Sequence, residues 1–394
     1  MSSLSAVKIL ELIALYSSAV ALIFTGLYIP ERHRNALLLP IWGLLAVSIQ
    51  GIDRLNFIPG LSYQFGMLVI ITFLCSPLIF HARKDPIKVE RRPDGRLNWN
   101  LTTAYKIFNN PRLLPARDTK APQGSDTTRV THAKFTIHRL LKIFLLVALN
   151  MGLNFATVPI FSKCTLDDFS PSREPIIRRL VNGTVSSHDL IIRAFISTIW
   201  IFDSISQLEI SHALTSILFV VIIRADQPYE WPPLFGSTLE AYSLRRFWGR
   251  FWHRLFASAG VWAQVLTDSA SFARVPAGLK KAFVAFFIFT VSGLAHAIVE
   301  WKTGGSALDR DILFFWCNYV AVCLEVVLAR GWPSVLKPSY ILLRIGVSPR
   351  GVRILNTVLG FLWVWAFFIW VTPRLVYPKI YGLLLSTISK PAYV

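Results

Sequence analysis

The feature that most limits what this chain can become is its series of long apolar runs. Residues 9–28, 61–80, 137–160, 279–299, 312–328 and 354–371 are each long enough, or nearly so, to cross about 30 Å of hydrocarbon as a helix. Residues 36–50 and 380–388 are shorter candidates. The stretch 190–223 exceeds one simple span and is interrupted by Asp203, Gln207, Glu209 and His212, so it reads as one kinked helix or as two short segments. Composition agrees, since 54% of the residues are hydrophobic and only 16% charged, whereas soluble domains carry about a quarter charged. The expected fold is all-α: a polytopic transmembrane bundle of about eight to ten segments, one membrane-embedded domain over residues 1–394.

Lys and Arg number 41 against 22 Asp and Glu, a net charge of +19. These cations lie mostly between the apolar runs, which fits cytoplasmic anchoring and disfavours a nucleic-acid partner. Residues 81–136 form a long cationic loop (Arg83, Lys84, Lys88, Arg91 and others) expected in the cytoplasm, with a flexible composition over 111–128. The turn with Arg32 and Arg34, and the cationic regions 224–254 and 330–353, fall on the same side. The first run lacks a basic leader and a small-residue cleavage site, so it reads as a retained helix with a lumenal N-terminus. Loop 162–189 is then lumenal and carries the glycosylation pattern Asn182-Gly183-Thr184, while a second pattern, Asn100-Leu101-Thr102, sits in the cytoplasmic loop. The four cysteines, Cys75, Cys164, Cys317 and Cys323, show no paired spacing, and neither a disulfide framework nor a zinc site is expected. No internal repeat is visible, which weakens a transporter reading.

Three features could carry chemistry. Gln227-Pro228-Tyr229-Glu230-Trp231-Pro232-Pro233-Leu234-Phe235-Gly236 reads as a rigid, extended connection. It leads into a segment, 243–254, with Ser243 as a helix N-cap. Wound as a helix, this segment pairs Phe247 with Phe251 and Trp248 with Trp252, and gathers Arg246, Arg250, His253 and Arg254. Such a helix suits either a membrane interface or a ligand with phosphates and a flat base. The second feature is Ser292-Gly293-Leu294-Ala295-His296 inside an apolar run, where Ser292, His296 and Glu300 share a face beside the small residues Gly293 and Ala297. A desolvated histidine there is neutral at pH 7 and can accept a proton, although a buried histidine bonded to a neighbouring helix reads equally well. The third is the set of polar residues within the runs, namely Asn150, Asn154, Asp203, Gln207, Glu209, His212, Asn318 and Glu325. Most are expected to make interhelical hydrogen bonds, with some lining an acceptor cavity. Gly-rich phosphate loops, G-x-S-x-G elbows, H-E-x-x-H sites and paired aspartate-rich motifs are missing.

The run 231–236 followed by 243–253 resembles the signature of the wax-synthase-like branch of the membrane-bound O-acyltransferase family, within a signature region spanning 224–300. Phe247 to His253 is similar in layout to the F-Y-x-D-W-W-N motif of sterol and diacylglycerol acyltransferases, with His253 where those relatives carry Asn and Arg250 where they carry Asp. Ser292 to His296 is similar to the segment that holds the family's catalytic histidine. The resemblance implies a helical tunnel in the endoplasmic reticulum membrane, acyl-CoA as co-substrate and a hydrophobic alcohol as acceptor. It implies His296 as general base and His253 as the group that polarises the thioester or steadies the oxyanion. Arg246, Arg250 and Arg254, with Trp248 and Trp252, would hold CoA; Ser292, Asp203 and Asn318 would face the acceptor; no metal is implied. The chain looks more like fungal members that acetylate terpenoid or meroterpenoid hydroxyls in secondary metabolism than like plant members that make long-chain waxes. A transporter of an amphipathic anion, or a membrane terpene cyclase using Asp203, Glu209 or Glu325 as proton donor, are the rival readings.

Overall fold

The computed structural model describes residues 3–58, 60–82, 84–91, 96–113, 131–305, 307–331, 346 and 348–388. Most of the expected flexible stretch 111–128 and of the cationic region 330–353 lies outside them. The main helices are α1 (Ser3–Tyr28), α2 (Leu38–Gln50), α3 (Leu61–His81), α4 (His132–Phe161), α5 (Ser187–Ile217), α6 (Ala257–Thr267), α7 (Ala277–Lys302), α8 (Leu308–Gly331) and α9 (Pro349–Ile388). Among the described residues, seven helices are long and apolar enough to cross a membrane: all of these but α2 and α6. The protein is an integral, multi-pass membrane protein. Phe144 and Phe155 on α4 are 67% and 81% exposed, an apolar face suited to hydrocarbon.

One expectation is corrected and one open alternative is decided. The runs 354–371 and 380–388 are one helix, α9, which continues through Pro373 and Pro378. Proline is tolerated inside membrane helices when the surrounding structure supports the local backbone; here the carbonyls next to the one Pro373 leaves open take side-chain donors, Ser197 Oγ on Phe368 at 3.0 Å and Arg374 Nη1 on Trp370 at 2.8 Å. Stretch 190–223 is also a single helix, α5, ending in a π turn at Leu218–Ile222. Its polar residues do not break it because α4 supplies partners. Asn150 Nδ2 donates to Asp203 at 2.5 Å, and Lys142 Nζ meets Glu209 at 2.6 Å.

The chain forms two compact units, Met1–Gln123 with Arg254–Ile312, and Gly124–His253 with Leu313–Val394, the division falling within α8. In the first unit, α1, α2 and α3 pack together, and α6 and α7 pack on α3. Ile23, Leu27, Ile41, Leu45 and Phe80 form its core. Arg34, expected as a cytoplasmic anchor, is fully buried and donates to the Phe80 carbonyl at 2.6 Å, where its charge meets the negative end of α3. The start of the long loop is folded. Strands Glu90–Arg91 and Leu97–Asn98 pair antiparallel, and the helix Leu101–Phe108 sets Phe108 against Phe24 of α1 at 5.5 Å.

In the second unit, α4 and α9 each pack against α5. The segment from α4 to α5, expected as a plain loop, is tied down by charge. Arg179 pairs with buried Asp189 at 2.8 Å, Arg173 bridges Asp189 and Asp167, and buried Arg193 donates to the Glu174 carbonyl at 2.9 Å. The hydrogen bond from Arg173 holds the Asp167 carboxyl below its usual range. Asn182 and Thr184 are exposed here, and Asn100 and Thr102 are equally exposed in the first unit. Glycosylation of the two sites therefore reports the side of the membrane and not accessibility. Mapping in microsomes is expected to modify Asn182 and leave Asn100 bare; a glycan on Asn100 would reverse the orientation.

Candidate active site

The second unit carries the aromatic and arginine segment. Ser243 is the N-cap as expected, its Oγ accepting from the Arg246 amide at 3.2 Å. The helix it starts is short. One α turn, Leu244–Arg246, passes into a π turn, Phe247–Phe251, and the backbone is extended at Trp252. The wider π turn brings Phe247 over Trp252, with ring centroids 5.2 Å apart and planes at 24°. Trp252 is buried and also lies parallel to Trp200 of α5 at 6.4 Å. Its ring faces are thus engaged by the protein's own aromatics. Trp248 donates its indole N–H to Asn318 Oδ1 at 2.9 Å, and the fully buried Asn318 donates in turn to the Phe314 carbonyl at 2.8 Å. The polar groups of Asn318, expected to face an acceptor, therefore position Trp248. Asp203 is similarly engaged with Asn150.

Two devices that sequence reading missed fix this segment. The Glu325 carboxylate of α8 accepts from the amides of Leu244 at 2.8 Å and Arg245 at 2.9 Å, and from the Trp363 indole at 2.6 Å. It supplies acceptors to the amide donors that a helix start leaves without partners, and it fills the place of negative charge there. Gly236, the last residue of the Pro-rich run, donates its amide to the Phe251 carbonyl at 2.8 Å, and a Cβ at this position would collide with the Arg250 carbonyl oxygen. Gly360 of α9 makes the same kind of approach to Tyr242. The Pro-rich run itself is not wholly extended, since Pro228–Glu230 forms a 3₁₀ turn closed by the Glu230 carboxylate on the Gln227 amide at 2.7 Å.

The arginines divide. Arg246 and Arg250 both pair with Glu240, Arg250 at 3.0 Å, and Arg246 also lies 4.3 Å over the Tyr242 ring. The hydrogen bond from Arg250 is the main reason the Glu240 carboxyl sits below its usual range. Arg250 keeps 60% of its side chain exposed, and so has donors to offer a phosphate; Arg254, in the first unit, is exposed. His253 ends the segment with its ring edge-on to Phe235 at 5.7 Å and beside Trp252 at 5.4 Å.

The first unit carries the other histidine. On α7, Ser292, Gly293 and Ala297 are buried and His296 half-buried, as the helical spacing required. The neighbour that spacing could not reveal is Tyr63 of α3, whose hydroxyl forms a short hydrogen bond with His296 Nδ1. Tyr63 lies within electrostatic reach of Asp311 and Glu300, and Phe256 covers the His296 ring at 6.5 Å. An imidazole held at Nδ1 by a phenolic oxygen has its ring orientation set and its tautomer biased. If Nδ1–H is the donor, Nε2 is the basic nitrogen.

Residues 231–317 match the family model described as "Membrane bound O-acyl transferase family", and both histidines fall inside the match. Over that segment the chain is similar to the membrane-bound O-acyltransferase family. Relatives include acetyltransferase spyB of Aspergillus fumigatus, 31% identical over 43% of this chain and 29% of its own length. Acetyltransferase nanB of Aspergillus nanangensis is 27% identical over 45% of this chain and 46% of itself. Acetyltransferase atnC of an Arthrinium species is 30% identical over 50% and 43%. The chain thus spans less than half the length of each of these relatives. No solved structure matches it.

Proposed function

We propose that the protein is an acyl-CoA-dependent O-acyltransferase of the endoplasmic reticulum that acetylates a hydroxyl of a terpenoid or meroterpenoid acceptor. The observation that carries this reading is the family segment 231–317, which contains both His253 and His296. The names of the relatives favour acetyl over longer acyl groups. In the proposed reaction Nε2 of His296 takes the proton of the acceptor hydroxyl as its oxygen attacks the thioester carbonyl. Tyr63 is a positioning residue that accepts Nδ1–H and keeps Nε2 basic. His253 donates to the oxyanion of the tetrahedral intermediate. Collapse expels CoA as its thiolate, which recovers the proton from His296. Arg250, Arg246 and Arg254 bind the phosphates of CoA, while Trp248 and Trp252 shape the segment that presents them.

Microsomes from a host expressing the protein, fed labelled acetyl-CoA or palmitoyl-CoA with a panel of terpenoid, sterol and fatty alcohols, are expected to yield acetyl esters of polycyclic alcohols. Palmitoyl esters in their place would make the protein a long-chain acyltransferase. Absence of CoA release with every donor and acceptor would return the transporter and cyclase readings.

Replacing Arg246, Arg250 and Arg254 singly with Gln tests the donor site. A charge-assisted phosphate contact contributes about 1.5–3 kcal/mol, so the KM for acyl-CoA is expected to rise roughly ten- to a hundredfold with the acceptor KM little changed. Arg250 should show this most cleanly, because it is more exposed than Arg246, which also lies over the Tyr242 ring. Unchanged acyl-CoA KM in all three variants would reduce the cluster to a membrane anchor.

A further inference from the structure

The absence of paired cysteine spacing argued against a metal site, yet folding brings three ligand types together away from the histidines discussed above. Cys164 Sγ, an Asp168 carboxylate oxygen and a His188 ring nitrogen all lie within 4.8 Å of one another. Cys164 follows the C-terminal end of α4, Asp168 closes the short 3₁₀ turn Leu166–Phe169, and His188 sits in the first turn of α5. The Asp168 carboxylate is already oriented. Its Oδ2 accepts from the Thr165 amide at 2.7 Å and the Thr165 hydroxyl at 3.0 Å, which leaves Oδ1 facing His188 Nε2 at 3.4 Å. Ligands about 2.0–2.3 Å from a tetrahedral ion stand roughly 3.3–3.8 Å apart, so the carboxylate and imidazole already have ligand spacing. Cys164 and His188 are both partly exposed and can close on an ion by rotamer shifts.

We infer that Cys164, Asp168 and His188 form a zinc site that clasps the end of α4 to the start of α5. The donor set decides the ion. A thiolate with an imidazole suits a borderline-soft cation such as Zn²⁺, and one thiolate with one carboxylate neutralises its charge. The hard ions Ca²⁺ and Mg²⁺ prefer sets made of oxygen. Position also favours it. The Thr165 bonds to Oδ2 supply the outer support that fixes a ligating carboxylate. Binding moves the Cys164 proton to solvent and replaces the weak contact of Sγ with the Ile160 carbonyl at 3.5 Å. Three protein ligands leave a fourth position for water. None of its ligands lies within the family segment 231–317.

The test uses full-length protein purified in detergent, stripped with a chelator and titrated with Co²⁺ and then Zn²⁺. Wild-type protein is expected to develop a near-ultraviolet sulfur-to-cobalt charge-transfer band at one equivalent per chain, which zinc abolishes. Cys164→Ser should lose the band and His188→Gln should weaken binding about tenfold or more, while Cys323→Ser should behave as wild type. Alkylation of the wild-type protein, read by mass spectrometry at Cys164, needs no variant to fold and should slow when zinc is added. A cobalt band that survives Cys164→Ser, unaltered affinity in His188→Gln, or equal alkylation of Cys164 with and without zinc would overturn the assignment.

Discussion

Replacing His296 with Ala is expected to lower turnover at saturating substrates by about 10²–10⁴-fold, the usual contribution of a positioned general base. An alcohol at neutral pH is a poor nucleophile, so removing the proton acceptor acts on the chemical step, and the KM for acyl-CoA should change little. The protein should still accumulate in membranes, because His296 is only half-buried and its neighbours Ser292, Gly293 and Ala297 already form a small-walled face. His296→Asn should rescue nothing, since an amide cannot take a proton at this pH. Tyr63→Phe separates orientation from base strength. It removes the partner of Nδ1 and leaves the imidazole in place, so turnover should fall less than in His296→Ala and the pH profile of kcat should move. An unchanged profile in Tyr63→Phe would make the pair a packing contact, and near-normal turnover in His296→Ala would overturn the mechanism.

The fold was legible where one physical requirement dominated. A backbone in hydrocarbon must satisfy itself, so the apolar runs yielded α1, α3, α4, α7 and α8 close to their observed bounds. Reading failed where side chains from another element changed the local rule. Asp203 and Glu209 look like breaks in α5 until Asn150 and Lys142 are seen to meet them. Pro373 looks like an end, yet α9 runs on through it. The same distinction governs the site. Helical spacing grouped Ser292 with His296, and the N-cap preference placed Ser243, because both are local. Tyr63 lies 233 residues from His296 and Glu325 81 residues from Leu244. Nothing in the spacing could have paired them, although a phenol or a carboxylate within an apolar run already signals a partner elsewhere. The π turn at Phe247–Phe251 was illegible for a further reason. Its surroundings come from distant segments, with Gly236 against Arg250 and Glu325 on the amides of the preceding α turn, and no local pattern announces them.

His253→Ala is expected to slow turnover by roughly 10²–10³-fold, the loss of about 2.7–4 kcal/mol that accompanies removal of one oxyanion donor. The comparison with Asn makes this specific. In sterol and diacylglycerol acyltransferases the position that His253 resembles carries Asn, an amide that can donate a hydrogen bond but cannot act as a base. His253→Asn should therefore retain most of the turnover lost in His253→Ala, whereas His296→Asn should retain none. Packing does not predict this pattern. The His253 ring is held edge-on to Phe235 and beside Trp252, so a purely structural role would penalise Ala and Asn alike, because both empty the space that the ring fills. Acyl-CoA KM, turnover and membrane abundance measured for both substitutions at each histidine distinguish the cases. Partial rescue by Asn at residue 253 alone supports a donor there and a base at His296. Equal tolerance of Asn at both positions would mean that neither histidine is the base, and rescue at 296 but not 253 would exchange their roles.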